Sequence, residues 1–216
     1  DTLYPEAEFV AGGFAAVAAH LAAIASVPAA QVRAALDRAL AVHGRGRVFD
    51  LVVEELGLTA AVSVPTLLAV YRRHQPRLTL HADADAVLTV LRERGARLGL
   101  ITDGDPTVQQ RKIDALGLET RLDHYELSWA QGPAHGKPDP LPYQRALAAL
   151  EVAATDAVYV GDNPHKDFVG ARALGLATAR VLRGPHRATE VPPSFDADVH
   201  LESLTALPAW LRSRGW

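Results

Sequence analysis

Apolar residues recur three and four apart through "AEFVAGGFAAVAAHLAAIA", "PAAQVRAALDRALAVHG", "RVFDLVVEELGL" and "VPTLLAVYRRHQ", with Gly or Pro at each break. This spacing predicts three or four consecutive helices with no strand among them. After "PRLTLHAD" the period changes. The short apolar runs "RLGLIT" (97–102), "DHYELS", "AVYVG" and "ATARVL" alternate with helical stretches such as "ADAVLTVLRERG", "PTVQQRKIDALGL" and "LPYQRALAALEV", and a last helix is expected near "ESLTALPAWLRSR". Strands alternating with helices of this length predict βαβ units, hence a parallel sheet with helices on both faces. The expected fold class is α/β, a doubly wound parallel sheet. Residues 1–11 and 77–216 form the α/β core, and 12–76 form an inserted helical unit.

Composition adds bounds to this picture. A chain of 216 residues, 49% of them apolar, can bury one sizeable core or a core and a smaller unit. The 25 acidic and 22 basic residues are interspersed, and no basic block marks a nucleic-acid partner. Without cysteine, neither a disulfide nor a thiolate metal site can form. The most apolar segment, Phe14–Ala30, carries His20 and is broken by Pro28. It falls short of the roughly 20 apolar residues of a membrane span and reads as a packed helix. The opening "DTLYPEAEF" has neither the basic nor the apolar region of a signal peptide. The expectation is a cytoplasmic protein with no membrane partner. Oligomeric state leaves no readable signal.

Three stretches fall where strands should end, the place at which open parallel sheets bind ligands. In "GLITDG", Thr102 either closes its strand or, with the backbone N–H groups of Asp103 and Gly104, holds a phosphate oxygen. In "HGKPDP", Lys137 lies between Gly and Pro; it is either a surface turn residue or a pinned cation that offsets a carboxylate and a phosphate together. In "VGDNPHKDFVGA", Asp162 and Asp167 either cap a helix or offer oxygens to Mg²⁺, which takes one or two carboxylates beside water and phosphate. Arriving in this order from separate βα units, the three would share one crevice. His165 and Lys166 lie inside the acidic loop and either line the site or are solvated side chains, the second being the plainer reading. The nine histidines offer no local metal pair, since no two are two to four positions apart.

These motifs resemble those of the haloacid dehalogenase (HAD) superfamily. "LGLITDG" is similar to its second motif, "GKPDP" to its third and "VYVGDNPHKDFVGARALG" to its fourth, while "DTLYPE" looks like the tail of the first. The helical unit resembles the α-helical cap of subfamily I. The resemblance implies a Mg²⁺-dependent phosphatase that acts on a small phosphorylated metabolite through an aspartyl-phosphate. In it, Asp162 and Asp167 serve the metal, while Thr102, Asp103, Gly104 and Lys137 serve the phosphoryl group. It also implies alternatives on the same fold: a phosphosugar mutase, a metal-free dehalogenase, or a phosphate-binding module without catalysis.

The first motif departs from the family pattern. Thr2 aligns with the motif threonine, so both catalytic aspartates and their strand would precede Asp1. That strand is expected between those ending in Thr102 and Gly161, where its absence leaves two unpaired edges. The sequence is therefore expected to be a clipped portion of a longer chain.

Overall fold

The structure, a computed structural model, describes residues 1–216. The chain divides into two compact units, one of Glu6–Arg77 and one of Asp1–Pro5 with Leu78–Trp216. The first is all-helical: α1 (Glu6–Ala25), α2 (Ala29–His43), α3 (Val48–Glu55) and α4 (Val64–Arg73). Pro28 and Gly44 bracket α2, and Ser63 caps α4 by accepting a hydrogen bond from the Thr66 N–H, with a proline in the first turn.

Helix α1 starts before the apolar segment singled out in the sequence and runs 20 residues. By length and composition it is long enough to cross a membrane, which corrects the shorter estimate. Gly12 and Gly13 do not break it. Side chains on α4 and just after it occupy the space that Cβ atoms there would take, His74 against Gly12 and Tyr71 against Gly13. Phe9, Phe14, Val17 and Leu21 of α1 are buried with Val32, Leu36, Val52 and Leu67 in one apolar core.

The second unit carries α5 (Ala82–Glu93), β1 (Gly99–Thr102), α6 (Pro106–Ala115), β2 (His124–Leu127), α7 (Leu141–Leu150), β3 (Val158–Gly161), α8 (Val169–Ala173), β4 (Ala177–Val181), β5 (Val199–Leu201) and α9 (Leu207–Ser213). All strand pairs are parallel, but they form two ladders, β1–β2 and β3–β4–β5. No ladder joins β1 to β3, the two strands that the sequence pattern places on either side of the first-motif strand. Packing holds the halves together. Ile101 of β1 shares an apolar cluster with Tyr143 and Ala146 of α7, Ala171 of α8 and Tyr159 of β3. On other faces, Leu3 packs with both the β4–β5–α9 cluster and the cluster of Leu88, Leu98 and Ile113.

Candidate active site

The strand β3 ends in Gly161, and this glycine decides what can approach it. A Cβ there would lie 2.6 Å from Oδ2 of Asp167, so only a bare backbone admits that carboxylate. Oδ2 accepts hydrogen bonds from the N–H groups of Asp162 at 3.2 Å and Asn163 at 2.8 Å. The loop is closed further by the Asp167 N–H on the Asn163 carbonyl and by the His165 N–H on Asn163 Oδ1. Asp162 is thereby presented at the strand end, 7% exposed, with Oδ1 accepting from Thr2 Oγ1 at 2.6 Å. Asp167, 2% exposed, turns its other oxygen inward.

That oxygen meets Lys137. The ammonium is 2.9 Å from Asp167 Oδ1, too far off the hydrogen-bond direction to satisfy it, so Oδ1 accepts no aligned hydrogen bond. Lys137 Nζ also donates to Tyr159 Oη at 2.9 Å and, at 3.4 Å, to the carbonyl of Ile101, reaching both β1 and β3. Burial alone would lower its pKa; the hydrogen bond to Tyr159 and the carboxylates of Asp167 and Asp103 outweigh it and hold the pKa well above the usual lysine value. The site therefore contains a buried cation that does not discharge near neutral pH. Burial pushes the Tyr159 phenol up in turn, so it remains protonated. Tyr143 supports both neighbours, its ring edge-on to Tyr159 at 4.9 Å and its hydroxyl donating to the Asp167 carbonyl at 2.8 Å.

The third element is the loop after β1. Thr102 Oγ1 donates to Gln109 Oε1 at 2.8 Å, and Gly104, at φ +129°, turns the chain beneath the same Gln109 side chain. Asp105 then caps α6, accepting from the N–H groups of Thr107 and Val108. The carboxylate of Asp103 points inward and joins three segments. Its Oδ1 accepts from Ser128 Oγ at 2.7 Å and from the Lys137 N–H at 3.2 Å, and its Oδ2 accepts from Lys166 Nζ at 3.2 Å.

Thr102, Asp103, Gly104, Lys137, Asp162 and Asp167 thus lie in one contiguous set of contacts at the carboxyl ends of β1 and β3. Of the two readings of Lys166, the structure pairs its ammonium with Asp103 at 3.2 Å while the side chain stays 39% exposed. Sequence inspection missed Gln109, Ser128, Tyr143 and Tyr159. Gln109 alone left a local trace, one helical turn into α6 and facing back on Thr102; the others act across 22 to 26 residues or more of separation. A buried ammonium beside carboxylates at converging strand ends suits an anionic ligand that arrives with a compensating cation.

The family described as haloacid dehalogenase-like hydrolase matches residues 1–175. The chain is 39% identical over 141 residues to a phosphoserine phosphatase of Thermus thermophilus, covering 65% of this chain but only 55% of that protein. It is 30% identical over 197 residues to a glyceraldehyde 3-phosphate phosphatase of Methanocaldococcus jannaschii, covering 88% of this chain and 85% of the relative. Across several other curated relatives it spans about half their length. Its fold superimposes on the HAD-hydrolase YfnB of Bacillus subtilis with TM-score 0.68 at 17% identity, covering 97% and 93% of the two chains. Motif order, parallel topology and the match over most of the chain converge: this protein belongs to the haloacid dehalogenase-like hydrolases.

Proposed function

We propose that the protein is a Mg²⁺-dependent phosphatase of small phosphomonoesters. The observation that supports this most is the buried, charged Lys137 set between Asp167 and the loop of Thr102 and Asp103. The phosphatases matched above are named for phosphoserine and glyceraldehyde 3-phosphate, both small phosphomonoesters.

The donor set suits Mg²⁺. Asp162 leaves Oδ2 without a hydrogen bond, Oδ1 of Asp167 faces the Lys137 ammonium at 2.9 Å, and no group of three or more His, Cys, Asp or Glu side chains gathers to hold an ion alone. One carboxylate with water and substrate oxygens matches the coordination habit of this cation. When bound, Mg²⁺ would neutralise charge on the phosphoryl oxygens. Asp162 would hold it, and Asp167, engaged by two backbone N–H groups and Lys137, would keep the acidic loop in shape. The N–H groups of Asp103 and Gly104 would receive the phosphoryl oxygens, joined by Thr102 Oγ1 once its proton turns away from Gln109 Oε1. By the family resemblance, the nucleophile and the general acid belong to the first motif, and the helical unit selects the substrate.

The test uses the full-length protein. Asp162→Asn is expected to abolish Mg²⁺-dependent release of inorganic phosphate from small phosphomonoesters while leaving the thermal transition in place. Retained turnover at saturating Mg²⁺ overturns the reading. Isomerised sugar phosphate in place of free phosphate would assign the mutase reaction instead.

A further inference from the structure

Asp103 poses an electrostatic problem for a phosphate crevice. Its carboxylate, 8% exposed, lies between Thr102 and Gly104, beside the position proposed for an oxyanion, where a fixed negative charge opposes a second. Three donors offset it, and they are unequal. Ser128 Oγ, at 2.7 Å, and the Lys137 N–H, at 3.2 Å, are held at or next to the main chain, one directly after β2 and the other in the backbone. The third is the end of a long side chain: Lys166, 39% exposed, whose ammonium makes a single hydrogen bond, to Asp103 Oδ2.

An ammonium has three donors, so Lys166 keeps two uncommitted here. Lys137 is more fully engaged: its ammonium donates to Tyr159 Oη and the Ile101 carbonyl and is ion-paired with Asp167 Oδ1. We propose that Lys166 is a phosphate-binding residue held on Asp103 until an oxyanion takes its place. The pair is then a latch and not a brace. A phosphate dianion at Thr102–Gly104 draws the ammonium away from Oδ2, and Asp103 stays anchored through Oδ1 by Ser128 and the Lys137 N–H. The inference rests on the proposed phosphate crevice and adds to it a second cation, supplied by the acidic loop itself.

A latch and a brace give opposite signs when the two partners are changed separately. Inorganic phosphate is titrated calorimetrically into the protein at fixed ionic strength near neutral pH, because exposed charges are screened by salt. Lys166→Met is expected to weaken binding about tenfold, and Lys166→Arg to retain most of it. Asp103→Asn keeps the Oδ1 acceptor but releases Lys166, and is expected to tighten binding about threefold. Thermal melts of each variant establish that the fold is intact. If Lys166→Met binds phosphate like the parent, or Asp103→Asn binds it no more tightly than the parent, the latch is overturned while the crevice stands. If the parent takes up no phosphate, the crevice itself fails, and the latch with it.

Discussion

The two units bury different chemistry. In the helical unit the buried polar side chain is His74, whose Nδ1 meets the Tyr71 carbonyl at 2.6 Å; its ion pairs, such as Arg33–Asp37 and Arg38–Glu55, lie on exposed side chains. In the α/β unit Lys112, Ser128, Asp162, Asp167, Thr178 and Arg180 are all buried. Removing a charge from water is costly unless partners restore its interactions, and exposed ion pairs contribute little. The helical unit thus rests on apolar packing between neighbouring helices. The α/β unit maintains a polar interior whose members depend on one another. Part of that cost falls at the candidate site, on Ser128, Asp162 and Asp167, and part away from it, where Arg180 is paired with Asp196.

Lys137→Met is the most severe way to test this contrast. It leaves Asp167 and Asp103 without their shared cation, and breaking a buried pair from one side costs about 3–5 kcal/mol. The expected result in chemical denaturation is a large fall in the stability of the α/β unit, together with loss of phosphate binding. A variant as stable as the parent would show the buried cluster to be energetically idle.

Asp83 gives a smaller effect that depends on pH. Burial would raise its pKa, but hydrogen bonds from Arg183, the Leu204 N–H and Ser203 prevail and hold it well below the usual carboxylate range. A depressed folded pKa stabilises the protein above the unfolded value near 4 and ceases to do so as the pH falls through the folded one. Asp83→Asn is expected to cost about 2–3 kcal/mol at neutral pH. The gap between variant and parent should narrow below about pH 4, which melts over a pH series would reveal.

Tyr71 supplies the mildest test, in the helical unit. Burial, with a further push from Glu6 that Arg45 only partly offsets, raises its pKa to about 12. A raised phenol pKa stabilises the fold below the unfolded value near 10, and that contribution is lost as the pH climbs toward the folded value. Tyr71→Phe should therefore change stability by under about 0.5 kcal/mol at neutral pH. Between about pH 10 and 12 it should lose less stability than the parent, with the absorbance of tyrosinate reporting the titration directly.

Much of the architecture was legible because its causes are local. The apolar runs ending in Thr102 and Gly161 are bounded by Gly and Asp, and the helices between them carry their own apolar faces and caps. Strand β5 escaped notice, since three residues centred on the exposed His200 carry too little pattern to separate from a loop. The separation of β1 from β3 followed from the order of the motifs, but its bridging by Lys137, Ile101 and Tyr159 did not. Lys166 had two readings for a related reason: a lysine in a polar loop can be placed only once the loop after β1 is folded against it.

Residue type and spacing by themselves determined the order of elements, the parallel class of the sheet, and which side chains stand at the strand ends, because period, turn chemistry and motif order act over a few neighbours. Only the tertiary structure decided that Asp103 gathers Ser128, Lys137 and Lys166, and that Lys137 reaches Tyr159 and Asp167. Electrostatic interactions depend on distance through space, and segments 22 to 63 positions apart along the chain come within 3.2 Å only after the strands have paired and the helices have packed.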